Sequence, residues 1–133
     1  SRIETKPKID SHAKLLNKKI LLVEDNKINQ MISKKMLERK GITCTTIDCG
    51  EEAIEVAKNN KFDLILMDVH LPGMNGTIAT QEIRMFDSTT PIIALTAISL
   101  DENRDILLSF GMNDVITKPF IPEEFYTVIA EYI

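Results

Sequence analysis

The segment Ile20-Leu21-Leu22-Val23-Glu24-Asp25 passes from four consecutive apolar residues directly into two acids. An unbroken apolar run of this length is the mark of a parallel strand covered on both faces. The abrupt change of polarity marks where that strand leaves its sheet. The pattern recurs along the chain. Leu64-Ile65-Leu66-Met67 ends at Asp68, Pro91-Ile92-Ile93-Ala94-Leu95 ends at Thr96, and a shorter run over Asp114–Thr117 ends at Lys118. Ile42 to Ile47, rich in Thr, reads as a further strand, second in chain order.

Helical patterns fill the intervals. Ile28, Met31, Ile32 and Met36 mark one face of a first helix, which Gly41 is placed to end. Glu51 to Asn59 reads as a second helix, Gly76 to Phe86 as a third after a Pro-Gly loop, and Asp101 to Phe110 as a fourth ending near Gly111. The last begins at Pro122, a residue favoured at the first helical position. Its Phe125, Val128, Ile129 and Tyr132 follow the i, i+3, i+4, i+7 spacing of an apolar face. Five strand–helix units in strict alternation predict an α/β domain, a parallel sheet with helices on both faces. Residues 1–18, polar and rich in Lys, read as a linker or remnant that ends in a short helical turn; the domain proper is predicted over 19–133.

Bulk properties narrow the function. A chain of 133 residues suffices for one compact domain. A net charge of −4 gives no basic surface for a nucleic-acid backbone. No apolar run approaches the length needed to cross a bilayer, so no membrane contact is expected of this domain. Cys44 and Cys49 match neither a redox pair nor a zinc spacing and read as reduced thiols, which points to the cytoplasm. The domain is expected to be monomeric in isolation.

Open parallel sheets place their functional crevice outside the carboxyl ends of the strands. Glu24, Asp25, Asp68, Thr96 and Lys118 all fall there. Three carboxylates gathered at one edge repel, and each raises the pKa of the others unless a cation intervenes. Lys118 supplies one positive charge, and a divalent ion is the natural second. Oxygen-only ligands with positions left for water suit Mg²⁺. A carboxylate beside such an ion and an ammonium can attack phosphorus and form an acyl phosphate. Thr96 would donate to one phosphoryl oxygen and Lys118 would neutralise another.

The stretches Val23-Glu24-Asp25-Asn26, Met67-Asp68-Val69-His70-Leu71-Pro72-Gly73-Met74-Asn75-Gly76, Ala94-Leu95-Thr96-Ala97 and Thr117-Lys118-Pro119-Phe120 resemble the four signatures of response-regulator receiver domains of two-component signalling. The resemblance runs from about Lys19 to Ile133. It implies a flavodoxin-like sheet of order 2-1-3-4-5 with five helices. It also implies Asp68 as phosphoacceptor, Glu24 and Asp25 as the acidic pair for Mg²⁺, and the backbone carbonyl of His70 as a further metal ligand. Thr96 is similar to the family's switch hydroxyl, small Ala97 to its access position, and the Lys118–Pro119 bond to its cis peptide. The donor would be a histidine kinase or a histidine phosphotransfer domain. Asp25–Gln30 and Gly111–Asp114 look most like receivers of hybrid sensor kinases. Val115 departs from the pattern, because many members carry Tyr or Phe three residues before the lysine. Its side chain cannot swing as an aromatic does, so the surface change on phosphorylation is expected to be modest.

Two other functions fit the sequence less well. An aspartyl-phosphate phosphatase would need a second aspartate two residues after the nucleophile, where this chain has His70. A pseudo-receiver that only binds protein need not keep Glu24, Asp25, Asp68, Thr96 and Lys118 together. Asp48 also ends a strand, but the resemblance places that strand at the sheet edge, away from the crevice. His70 reads as a loop histidine whose backbone alone matters.

Overall fold

The computed structural model describes residues 11–97 and 100–133, so most of the polar leader lies outside the described residues. Five parallel strands, β1 (Lys19–Val23), β2 (Thr43–Ile47), β3 (Leu64–Asp68), β4 (Ile92–Thr96) and β5 (Asp114–Thr117), form one sheet of order β2-β1-β3-β4-β5. Helices α1 (Lys27–Arg39), α2 (Gly50–Asn59), α3 (Gly76–Arg84), α4 (Leu100–Ser109) and α5 (Pro122–Tyr132) follow the strands in turn. The alternation, the strand order and the helix count are those expected.

The strand runs are apolar throughout because both sheet faces are covered. Every residue of β3 and β4 is buried, whereas edge strand β2 is buried only at Ile47. Side chains alternate between two cores. Leu21, Val23, Ile65, Met67, Ile92, Ala94 and Val115 face Ala53 of α2, Ala79 and Ile83 of α3 and Leu107 of α4. Ile20, Leu22, Leu64, Leu66, Ile93, Leu95 and Ile116 face Met36 and Leu37 of α1 and Phe125 and Ile129 of α5. Among the described residues no helix is long and apolar enough to cross a membrane.

Two local devices set the ends of α1. Asn26 caps its start by accepting from the Asn29 N–H at 3.0 Å. At its end Gly41 takes φ +79°, its N–H reaching the Glu38 carbonyl and the Ile42 N–H the Leu37 carbonyl. That reciprocal pair needs a left-handed residue, which glycine supplies without a Cβ clash.

Two sequence expectations change. The apolar stripe of α1 is split: Ile28 and Met31, placed for exposure beside the site, stay exposed together with Ile32 at 50–64%, whereas Met36 is buried with Ser33 and Leu37. The inward face near the strand ends is polar because it meets the crevice, so hydropathy alone misplaces it. The packed unit also begins before Lys19. A 3-10 turn over Ser11–Leu15 leaves Leu15 fully buried among the residues of α5 and the sheet.

Candidate functional site

The strand ends carry their polar residues to one place by register alone. Val23 pairs with Met67, Asp68 with Leu95, and Thr96 with Thr117, so the residues just beyond them converge on one edge of the sheet. The Lys118 N–H donates to the Thr96 carbonyl at 2.8 Å, which brings the fifth strand end against the fourth. The Lys118–Pro119 peptide is cis, as the resemblance implies.

Lys118 is the centre of the cluster. Its Nζ donates to Glu24 Oε1 at 2.7 Å and to Asp68 Oδ2 at 3.0 Å. The other oxygens are also held: Asp68 Oδ1 accepts from the His70 N–H at 3.1 Å, and Glu24 Oε2 from the Asn26 N–H at 3.3 Å. Glu24, Asp68 and Thr96 are buried, with 1%, 5% and 2% of their surfaces exposed, while Asp25 lies open to solvent. Burial pushes the Glu24 carboxyl above the usual carboxylate range, and the neighbouring Asp68 carboxylate adds to that while Lys118 opposes it. Burial works against the Lys118 charge, yet its bonds to Glu24 and Asp68 outweigh it and hold the ammonium above its ordinary value.

Glu24, Asp25 and Asp68 each offer a carboxylate oxygen, and these lie within 4.8 Å of one another. Three hard oxygen donors at that spacing, two buried and one exposed, fit a small divalent cation that keeps waters on its open side. The exposed position of Asp25 supplies that side. His70 enters through its N–H to Asp68, and its residue is exposed, in keeping with a loop histidine whose backbone matters.

Sequence reading missed three supporting features. A Cβ at Gly76 would stand 2.0 Å from the Asp68 carbonyl oxygen, so only glycine lets the start of α3 pass beneath the end of β3. Asp48 belongs to the rim, not merely the edge: its carboxylate takes Lys27 Nζ at 2.7 Å and Gln30 Nε2 at 3.1 Å. A groove of about 420 Å³, lined by Ile32, Ser33, Met36, Pro119 and Phe120, opens directly beside Lys118. The Gly was visible inside its motif; the other two depend on contacts between distant segments and left no local signal. Val115, the departure from the aromatic pattern, is buried in the core with Leu107 and Met112. Cys44 and Cys49 are both free, and burial pushes the Cys44 thiol up to about 12, which leaves it unreactive.

Comparison with known proteins agrees with this geometry. The family model described as "Response regulator receiver domain" matches residues 20–130. The chain is 36% identical over 114 residues to the transcription factor SKN7 of Candida albicans, covering 86% of this chain and 20% of that protein. It is 37% identical over 121 residues to the osmosensing histidine protein kinase SLN1 of Saccharomyces cerevisiae, covering 86% of this chain and 10% of the kinase. The chain thus spans a fifth or less of these curated relatives. Among solved structures, the receiver domain of sensor histidine kinase PA1611 from Pseudomonas aeruginosa is 40% identical, with a TM-score of 0.81 over 87% of this chain and 97% of that one. That structure carries a magnesium ion coordinated in its active-site cleft.

Proposed function

The chain belongs to the response-regulator receiver family, and from that premise we propose that Asp68 accepts a phosphoryl group from a partner's phosphohistidine with Mg²⁺ held by Glu24, Asp25 and Asp68. The observation that carries the reading is the Lys118 ammonium shared between Glu24 and Asp68 inside a three-carboxylate cluster. In the transfer, an Asp68 carboxylate oxygen bonds to phosphorus as the phosphorus–nitrogen bond to the donor imidazole breaks, and the imidazole leaves with the electron pair and takes a proton. Lys118 sits where one phosphoryl oxygen gains charge, and Thr96, across the register at the end of β4, would donate to another. The metal, when bound, neutralises charge on the phosphoryl oxygens and screens the carboxylates from one another. Asp25 would hold it directly, and Glu24, turned toward Lys118, would act through water. On this reading the domain catalyses only its own phosphorylation and its own hydrolytic reset.

The partner is a histidine kinase or histidine phosphotransfer domain, and its phosphohistidine must reach Asp68 past the α1 rim. The exposed Ile28, Met31 and Ile32, and the groove continuous with Lys118, offer the apolar surface on which such a donor would seat. The parent protein is inferred to be a hybrid sensor kinase, a reading supported by the similarity to SLN1 and to the PA1611 receiver. A cytoplasmic position for the domain is part of the same reading, and its two free thiols suit it.

Incubation with acetyl phosphate and Mg²⁺ is expected to add a single phosphoryl mass, and a chain that stays unmodified would overturn the proposal. The metal assignment has its own check. Asp25→Ala should remove most of the Mg²⁺ binding seen by calorimetry or by amide-shift titration, because Asp25 is the open carboxylate of the three. Unchanged binding in that variant would reject the ligand set.

A further inference from the structure

We propose that Gln30 is a positioning residue for the metal-binding acids, holding the loop between β1 and α1 by bridging the Glu24 backbone to Asp48 at the end of β2. The inference rests on the reading that Glu24, Asp25 and Asp68 take a divalent cation. The loop leaves the sheet at Val23, and its last ladder bond is the Glu24 N–H to the Ile47 carbonyl at 3.0 Å. The Glu24 carbonyl lies beyond the ladder, and Gln30 Nε2 supplies its donor at 2.9 Å. The same nitrogen donates to Asp48 Oδ1 at 3.1 Å. Both neighbours are acceptors, so the amide must present its nitrogen to them, which fixes the side chain's orientation.

One amide therefore joins the ends of two adjacent strands across the base of the acidic loop. Asp25 gives the bridge its importance. Its carboxylate lies within 4.8 Å of those of Glu24 and Asp68, so the place from which it reaches the cluster depends on the loop backbone that carries it. Three further bonds shape that backbone: the Asn26 N–H to Glu24 Oε2, the Gln30 N–H to the Asn26 carbonyl, and the Asn29 N–H to Asn26 Oδ1. All of these close within the loop and the first turn of α1, whereas the Gln30 side chain reaches across to the end of β2 and joins it to the Glu24 carbonyl. The Lys27–Asp48 pair lies over the same place, but both side chains are more than half exposed, and such pairs contribute little. A ligand's outer partners act on metal affinity more than on folding, because they fix direction at an open site.

The test measures Mg²⁺ affinity by amide-shift titration and thermal unfolding in metal-free buffer, on the wild-type domain and four variants. Gln30→Met keeps length and helix propensity while removing the donor. It is expected to weaken Mg²⁺ binding roughly five- to tenfold with little change in the unfolding midpoint. Asp48→Ala should weaken binding as well, whereas Asp48→Asn, which carries the same charge change but keeps an acceptor oxygen, should stay close to the wild type. Wild-type affinity in Gln30→Met, or affinity and stability falling in proportion, would overturn the positioning role. Asp25→Ala separates this from the site itself: if that variant binds Mg²⁺ as the wild type does, the acidic-cluster reading fails and the inference falls with it.

Discussion

Asp68→Asn is expected to abolish phosphorylation while leaving the fold intact. The side chain is buried at the end of β3, with Oδ1 held by the His70 N–H and Oδ2 by Lys118. Asparagine has the same shape, and its amide oxygen can keep one of these bonds. It is not a nucleophile toward phosphorus, and it brings one charge fewer to the cation cluster. Glu24 and Asp25 do not replace it. Glu24 is engaged by Lys118 and the Asn26 N–H, and Asp25 stands on the open side of the cluster. The measurement is intact mass after incubation with acetyl phosphate and Mg²⁺. The wild type should gain a phosphoryl group and the variant none; an adduct that persists in Asp68→Asn would remove Asp68 from its assigned role. The same substitution should let the Glu24 carboxyl fall back toward its ordinary range, since Asp68 is one of the groups that push it up. Functional clusters of like charge are places where a fold sacrifices stability, so relief of that repulsion is expected to offset part of the lost Lys118 bond.

The residues that made the fold legible are those with a single environment. Leu64 to Met67 sit between two helical layers and have no exposed face, so their composition alone declares a central strand. Asp68, Thr96 and Lys118 were legible because a polar residue at the end of such a run has only the strand terminus to occupy. The first helix was harder to read for the opposite reason. Its N-terminal half serves two environments: Gln30 and Ser33 turn inward at the crevice, and Ile28, Met31 and Ile32 face solvent where a partner is expected. A hydropathy pattern records only the average of those demands. Leu15 escaped because its partners on α5 lie more than a hundred positions away, and the polar stretch around it carries no period. Asp48 follows the edge strand β2, yet edge position in the sheet does not keep its side chain from the Gln30 amide that also holds the Glu24 carbonyl.

Lys118→Met should destabilise the domain strongly and in a pH-dependent way, because it removes the cation from between two buried carboxylates. Breaking one partner of such a group is destabilising by roughly 3 kcal/mol at neutral pH or above. The sign follows from the two shifted groups. The Lys118 pKa is raised on folding above 10.5, so its contribution is complete below that value and fades only as the pH climbs through the higher folded value. The Glu24 pKa is raised above 4.5, so this group weakens the fold as pH rises from 4.5 through its folded value. Without Lys118 that folded value moves higher still, and the penalty at pH 8 deepens. Near pH 4 Glu24 is largely protonated in the variant and little repulsion remains. Urea unfolding at pH 8 and at pH 4 should therefore show most of the loss at the higher pH, and equal losses at both would refute the charge argument. Lys118→Arg separates charge from shape. Arginine restores the positive charge and should flatten the pH dependence, but its wide planar fork does not reproduce a compact ammonium shared at 2.7 and 3.0 Å between two carboxylates. That variant is expected to fold well and bind Mg²⁺, yet to lose much of the amide-shift response to beryllofluoride, which stands in for the acyl phosphate. A wild-type response in Lys118→Arg would mean that charge alone, and not the position of one nitrogen, couples the phosphoryl group to the strand ends.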